Sequence, residues 1–226
     1  MRNIIFDVDR TLVDSYGPEL STLNEALYLA TGKHYSNEVM NQLTVLTTDE
    51  FFQTLGIHEQ DTLKKINYYW GELLKKQPVT MFPGIPEMLT LLSERDPFLG
   101  IVTSRTYEEL EEIGDLMKIL HIFSSVITSD LVKQPKPNPE SILTILNKFQ
   151  LDPKETVYVG DSKVDMLTAK SAGVLFAYAS WDNCDDTITY DFLLNTPDDL
   201  KKLFSFSKYS IIPVSYTHLT LPTILR

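Results

Sequence analysis

The amino-acid sequence predicts an α/β fold: a three-layer, doubly wound parallel sheet of Rossmann-like form with an all-helical domain inserted into it. Short apolar, β-branched runs alternate with stretches of helical periodicity. This alternation is typical of a parallel sheet with helices on both faces. The runs are continuously apolar, as expected of strands buried on both sides. One long interval after the first run contains no strand-like stretch.

Five apolar runs are predicted as strands, and each ends in small or acidic residues. In chain order they are NIIFDVD (3–9), FLGIVTS (98–104), SSVITSD (124–130), ETVYVGDS (155–162) and VLFAYAS (174–180). Four segments between them have the i, i+3, i+4 apolar spacing of helices. They are IPEMLTLLSE (85–94), YEELEEIGDLMKIL (107–120), PESILTILNKFQ (139–150) and KVDMLTAKSA (163–172). A last helix is predicted in TPDDLKKLF (196–204), with Thr196 as its N-cap.

The interval after the first strand predicts a helical insert. It contains four amphipathic segments, two of which end on glycine, a common helix terminator. These segments are ELSTLNEALYLATG (19–32), NEVMNQLTVL (37–46), TDEFFQTLG (48–56) and EQDTLKKINYYWGELLKKQ (59–77). The predicted domains are therefore a core of residues 1–15 and 82–205 and a helical cap of residues 16–81.

Composition limits the classes of partner. The chain has 226 residues and a formal net charge of -11, which disfavours nucleic acid and anionic membranes as partners. Its one cysteine, Cys184, cannot build an internal disulfide framework and fits a reducing compartment. No apolar run approaches the roughly 18 residues that span a bilayer. We expect a cytoplasmic protein, a monomer or homodimer, with neither nucleic acid nor membrane as partner.

The last fourteen residues, PVSYTHLTLPTILR (213–226), differ from the rest of the chain. They contain no acidic residue and show no clean helical or alternating period. The string resembles an in-frame translation of a sequencing adapter, and a natural β-rich segment is the alternative. We predict a non-native tail and exclude it, His218 included, from functional reasoning.

Seven polar residues follow the predicted strands, where the carboxyl ends of parallel strands form a common ligand-binding edge. They are Asp7 and Asp9 after the first strand, Thr103 and Ser104 after the second, Lys136 in the loop after the third, and Asp161 and Asp165 after the fourth. Each alone is a common turn former, helix cap or loop residue. Their convergence from four strand ends favours a functional site.

These residues lie in segments with a family resemblance. FDVDRTLVDS, IVTS, KPNPE and VGDSKVDMLTAKSAG resemble, in this order, the four motifs of the haloacid dehalogenase-like (HAD) hydrolase superfamily. The insert resembles the cap of its phosphoglycolate phosphatase and β-phosphoglucomutase branch. The resemblance covers about residues 2–200 and implies a Rossmann-like core, a helical cap and an enzyme acting on a small phosphorylated metabolite.

The resemblance implies a division of labour between two aspartates. Asp7 would attack phosphorus and form an aspartyl-phosphate, which divides one slow hydrolysis into two easier steps. Asp9 would protonate the leaving group and then activate water. Mg²⁺ would offset the repulsion between carboxylate and phosphate. Its implied ligands are the side chains of Asp7 and Asp161 and the backbone carbonyl of Asp9, while Asp165 holds a metal-bound water or orients the lysine.

The resemblance also implies the groups that bind substrate. Thr103 would donate a hydrogen bond to a phosphoryl oxygen, and Lys136 would add positive charge to the transferring group. Ser104 and Arg105 follow the second strand, where Arg105 either contacts substrate or faces solvent. In the predicted cap, Thr48 is either a substrate contact or the N-cap of the following helix.

One departure from the family pattern is Arg10, since glycine usually follows the second aspartate. We expect its side chain to point to solvent; contact with substrate or cap and impaired activity are the alternatives. The sequence predicts Mg²⁺-dependent hydrolysis of a small phosphomonoester. A sugar-phosphate mutase and a non-catalytic protein that binds a phosphorylated ligand remain the alternative functions.

Overall fold

The computed structural model describes residues 2–43, 48–77, 79–95, 97–182 and 184–205. The predicted tail, residues 213–226, lies outside these ranges. The described part contains eight strands: β1 (Asn3–Phe6), β2 (Val13–Asp14), β3 (Thr80–Met81), β4 (Phe98–Val102), β5 (Ser125–Ile127), β6 (Thr156–Gly160), β7 (Leu175–Ala179) and β8 (Phe192–Leu194).

Six of these strands form one parallel sheet in the order β5-β4-β1-β6-β7-β8. β1 lies between β4 and β6, and all four of its residues are buried. From β1 the chain runs to β4 and β5 on one side, and then crosses to β6, β7 and β8 on the other. The direction of strand order thus reverses next to β1, and α/β proteins bind ligands at the carboxyl ends of strands at such a point. β8, a short apolar run between polar residues, is absent from the predicted strands.

The described helices are α1 (Tyr16–Thr31), α2 (Asn37–Leu43), α3 (Thr48–Thr54), α4 (Gln60–Leu74), α5 (Ile85–Ser93), α6 (Tyr107–Glu111), α7 (Gly114–Ile119), α8 (Glu140–Phe149), α9 (Lys163–Ala172) and α10 (Lys202–Ser205). None of them combines the length and apolar character required to span a bilayer. The predicted helix over 107–120 is divided, because Ile113 leaves the helical conformation between α6 and α7. Thr196 stands at the N-cap of a 3₁₀ turn before α10, without a side-chain cap bond.

The sheet separates two apolar cores, as expected of a layer covered on both faces. Ile4 and Phe6 of β1 pack on the side of α5, together with Leu89. Ile5 lies on the opposite face in a second cluster with Ile145 of α8. The predicted fold class, a three-layer α/β sheet with parallel strands, is confirmed.

Four helices, α1 to α4, lie between β2 and β3 and form an insert with its own apolar cluster. That cluster includes Leu27 of α1, Met40 of α2, Phe52 of α3 and Ile66 of α4. The last two residues of the predicted cap, 80–81, form β3, which pairs antiparallel with β2. A two-residue strand gives no sequence period to detect. The division of the chain into core and cap stays a prediction.

Gly160 allows the first turn of α9 to approach the sheet closely. A Cβ atom at this position would lie 2.5 Å from Asp165 Cβ and 2.6 Å from its Cγ, a separation that atoms in proteins do not reach. We expect Gly160→Ala to lower the free energy of unfolding by about 2–3 kcal/mol, because overpacking shifts backbone. Urea denaturation measures the change.

The matched control is Gly71→Ala within α4, where no atom lies within 4 Å of the added Cβ. Alanine is the better helix former, so this variant gains roughly 0.5–1 kcal/mol. Wild-type stability of Gly160→Ala would contradict the steric argument.

Candidate active site

Three buried carboxylates meet at the carboxyl edge of the sheet. Asp7 follows β1, Asp161 follows β6, and Asp165 lies in the first turn of α9. Each can present an oxygen within 4.8 Å of the others, and the residues are 4%, 9% and 1% exposed respectively. The parallel register of β1 and β6 produces this meeting, and the Asp7 backbone N–H donates to Val159 O at 2.8 Å.

Lys136 reaches into this cluster from the loop before α8. Its Nζ lies 2.6 Å from Asp7 Oδ1 and 2.7 Å from Asp165 Oδ1. It also donates to the Tyr158 hydroxyl at 3.2 Å. That hydroxyl lies 3.1 Å from both Val102 O and Asp165 Oδ1. The sequence analysis missed Tyr158, although a hydroxyl-bearing side chain in a buried strand is a usable signal, since buried hydroxyls need partners.

Burial determines the protonation behaviour of the cluster. Desolvation and the neighbouring carboxylates hold the pKa of Asp7 well above its usual range, although Lys136 opposes this effect. Burial and the charge of Asp165 raise the pKa of Asp161 to about 7. Burial works to lower the pKa of Lys136, but the carboxylates of Asp7 and Asp165 outweigh it and raise that pKa. The lysine is therefore protonated.

Asp165 is held from two sides. Its Oδ1 accepts from Lys136, while its Oδ2 accepts from the Ser162 backbone N–H at 3.2 Å and from Ser162 Oγ at 2.6 Å. Ser162 and Asp165 form a reciprocal capping box at the start of α9. Asp165 thus fixes the position of the lysine.

The donor set fits a small divalent cation. Carboxylate oxygens are the ligands that Mg²⁺ prefers. Lys136 contacts only two of the three carboxylates, and burying surplus negative charge is costly without a further cation or protons. The residues that would hold Mg²⁺ are Asp7 and Asp161, with Asp165 in the same cluster.

Asp9 points away from this cluster and is bound by Arg105. Arg105 Nε lies 3.0 and 2.9 Å from the two Asp9 oxygens, and its terminal nitrogen lies 2.5 Å from Asp9 Oδ1. Thr103, which is buried, accepts a hydrogen bond from the Arg105 backbone N–H at 3.1 Å. Asp9 and Arg105 thus meet at the site although they lie 96 positions apart in the sequence. Arg105 contacts a predicted site residue rather than only solvent.

A cavity of about 820 Å³ lies between the insert and the core, and Asp9 is one of its lining residues. Core residues Ser104 and Arg105 line one side, and insert residues Glu19 and Trp70 line the other. Glu19 was not predicted as a site residue, although an acidic side chain in the first turn of α1 is a detectable signal. Thr48 begins α3, and its contact with substrate stays a prediction.

Arg10 differs from the expectation. Its Nε lies 2.7 Å from Asp182 Oδ2 and 3.5 Å from Asp161 Oδ2, and its guanidinium lies 4.6 Å from the ring centre of Tyr16. The side chain is 26% exposed. The expectation that it points to solvent is wrong, because two carboxylates and an aromatic face bind the guanidinium.

Fold and site together define a Rossmann-like α/β enzyme that works at the carboxyl edge of its sheet. The chain belongs to the haloacid dehalogenase-like hydrolase family, whose model matches residues 4–179. The resemblance seen in the four motifs is thereby confirmed, and with it the prediction of an enzyme of this family.

Named relatives support a phosphatase. The chain is 32% identical over 183 residues to pyrophosphatase PpaX of Bacillus velezensis, covering 79% of this chain and 82% of the relative. It is 26% identical to phosphoglycolate phosphatase 1 of Pseudomonas aeruginosa, covering 76% and 67% respectively. The crystal structure of a HAD-superfamily hydrolase from Geobacter sulfurreducens has 25% identity and a TM-score of 0.73, covering 90% of this chain and 96% of that one.

Glu19 generates a pH-dependence prediction. Burial and the charge of Asp9 raise the pKa of Glu19 from 4.5 to about 7. A folded-state pKa above the unfolded value means that the folded chain binds the extra proton. Stability is therefore lost as pH rises from 4.5 to about 7. Glu19→Gln removes this loss, so we expect it to be more stable than wild type above this window and not below it.

The expected gain is about 1 kcal/mol at pH 8, because solvent screens a partly exposed carboxylate. Thermal unfolding at about pH 4 and pH 8 measures it. Glu38→Gln on α2, an exposed glutamate, is the control and should show no such pH-dependent gain. A gain of equal size at both pH values would contradict the assignment.

Proposed function

We propose that this chain is a Mg²⁺-dependent phosphatase that hydrolyses a small phosphomonoester through an aspartyl-phosphate. The observation that carries the proposal is the position of Asp7. It is buried at the end of the central strand, contacts Lys136 at 2.6 Å and shares a cluster with Asp161 and Asp165. Such a carboxylate is a positioned nucleophile beside a fixed positive charge.

In the first step, an Asp7 carboxylate oxygen forms a bond to phosphorus while the bond from phosphorus to the leaving-group oxygen breaks. In the second step, water attacks the acyl-phosphate, which releases phosphate and regenerates Asp7. The side chains of Asp7 and Asp161 and the backbone carbonyl of Asp9 would hold Mg²⁺, which would supply charge neutralisation for the phosphoryl group. Lys136, which contacts Asp7, adds a second positive charge.

Asp9 acts as the general acid and base. It gives a proton to the leaving oxygen in the first step and accepts one from the attacking water in the second. Its position beside the cavity supports this role. Both Asp9 oxygens contact Arg105 in this structure, so proton transfer requires that this bidentate contact open. Thr103 and Ser104, which follow β4, complete the substrate-binding edge, with Thr103 donating to a phosphoryl oxygen.

The helical insert serves as a cap over the active site. Insert residues Glu19, Trp70 and Leu74 face the same cavity as Asp9 and Arg105 of the core. A cover at this place excludes bulk water during phosphoryl transfer and selects the leaving group. Thr48 of α3 is a further predicted contact with substrate.

Relatives named pyrophosphatase and phosphoglycolate phosphatase make pyrophosphate and phosphoglycolate the first substrates to test. No contact among the described residues favours a mutase over a phosphatase. The presence of both Asp7 and Asp9 weighs against a non-catalytic protein that binds a phosphorylated ligand. A cytoplasmic location and a monomeric or homodimeric state stay predictions.

The nucleophile assignment is tested by Asp7→Asn in a phosphate-release screen with Mg²⁺ over small phosphoesters and pyrophosphate. We expect turnover to fall by roughly 10³-fold or more, because an amide cannot form the acyl-phosphate. Asp61→Asn, at a 91% exposed side chain in α4, is the control and keeps wild-type turnover. Unchanged activity of Asp7→Asn with the best substrate would overturn the mechanism.

The metal assignment is tested by chelation and by Asp161→Asn. We expect EDTA to abolish activity and added Mg²⁺ to restore it, since the substrate is an anion approaching buried carboxylates. Losing one carboxylate ligand should raise the Mg²⁺ concentration for half-maximal activity at least about tenfold. Asp61→Asn again serves as the control. Full activity in EDTA, or an unaltered Mg²⁺ requirement of Asp161→Asn, counts against the proposed metal site.

A further inference from the structure

Arg10 is held in an unusual backbone conformation directly after Asp9. Its φ is +57°, in the left-handed region that is strained for a non-glycine residue. Its own backbone N–H donates to Val13 O at 2.8 Å, which fixes this turn. The chain therefore keeps a large, charged residue at a position where glycine relieves strain.

The Arg10 side chain lies against Asp161 of the acidic cluster, the carboxylate that Lys136 does not contact. Asp182, in the loop after β7, binds Arg10 Nε at 2.7 Å, and Asp161 Oδ2 lies at 3.5 Å from the same nitrogen. The ring of Tyr16, at the start of α1, lies under the guanidinium. Asp161 and Asp182 are only 9% and 16% exposed. Three partners thus hold the positive charge beside one carboxylate of the candidate metal site.

We propose that Arg10 is an internal counter-ion that competes with the divalent cation for the Asp161 carboxylate and so weakens metal binding. The proposal rests on the metal site of the proposed function. It assigns a role to Arg10, a motif residue that the hydrolytic mechanism does not use.

Electrostatics gives the sign of the effect. Arg10 is positively charged at every physiological pH and its Nε lies 3.5 Å from one oxygen of Asp161, so it repels a cation that approaches this carboxylate. The pair is largely buried, so salt screens it little. A tenfold change in affinity corresponds to about 1.4 kcal/mol, which unit charges about 4 Å apart can supply near a protein surface.

The test measures Mn²⁺ binding to the full chain, with free Mn²⁺ counted by electron paramagnetic resonance, at about pH 8.5 so that carboxylates are ionised. We expect Arg10→Gly and Arg10→Asn each to bind Mn²⁺ about tenfold more tightly than wild type. Both variants are neutral and both tolerate a left-handed backbone. Arg2→Asn is the matched control for charge, because Arg2 is 77% exposed and precedes β1 at the opposite edge of the sheet. It leaves the affinity unchanged.

A thermal melt supplies a second readout. Without metal, Arg10→Asn melts below wild type because the acidic cluster loses a counter-ion. With Mn²⁺, its melting temperature rises more than that of wild type, since tighter binding stabilises the folded state further.

The outcomes separate this inference from the proposed function. Tighter binding by both Arg10 variants supports it. Wild-type or weaker affinity in both overturns it, and tightening by Arg10→Gly alone assigns the effect to backbone relief and overturns it as well. If wild type and Asp161→Asn bind Mn²⁺ equally weakly, the metal site itself fails, and the proposed function fails with it.

Discussion

The burial of three neighbouring carboxylates is the main physical constraint on this molecule. Asp7, Asp161 and Asp165 lie within ligand-sharing distance, and mutual repulsion in a poorly polarisable interior opposes that arrangement. Lys136 relieves part of it by contacting two of the three. Much of the surrounding architecture exists to hold this group together, because a single missing cation leaves charges that the interior cannot solvate.

The sheet provides the rigidity that this arrangement needs. β1, which leads directly into Asp7, is hydrogen-bonded on both sides to β4 and β6, so Asp7 cannot move without disturbing these strands. Gly160 then lets α9 start close to the strand end, and Ser162 fixes the far oxygen of Asp165. Backbone pairing, a missing side chain and a helix cap thus set the positions of groups that come from distant parts of the sequence.

Periodicity and local motifs revealed the parallel sheet, the helical insert and the residues at the strand ends, because burial and helix formation act over a few neighbouring residues. They did not reveal the contact of Arg105 with Asp9 or of Arg10 with Asp182. The residues of those pairs lie 96 and 172 positions apart. A local sequence pattern does not predict which distant carboxylate a flexible arginine side chain contacts. The strands β2 and β3 were not predicted for a different reason: with two residues each, they are too short to show the alternation of a β-strand.

The small ladder of β2 and β3 has an architectural consequence. Val13 pairs with Met81 and Asp14 with Thr80, so the chain departs from the core and returns to it at adjacent points. The insert is thus joined to the core at two neighbouring junctions, and the free-energy cost of closing such a loop depends weakly on its length. The same α/β core can therefore carry inserts of other sizes and shapes during evolution. Residues at the strand ends can then be retained while the insert, and any selectivity that it provides, changes.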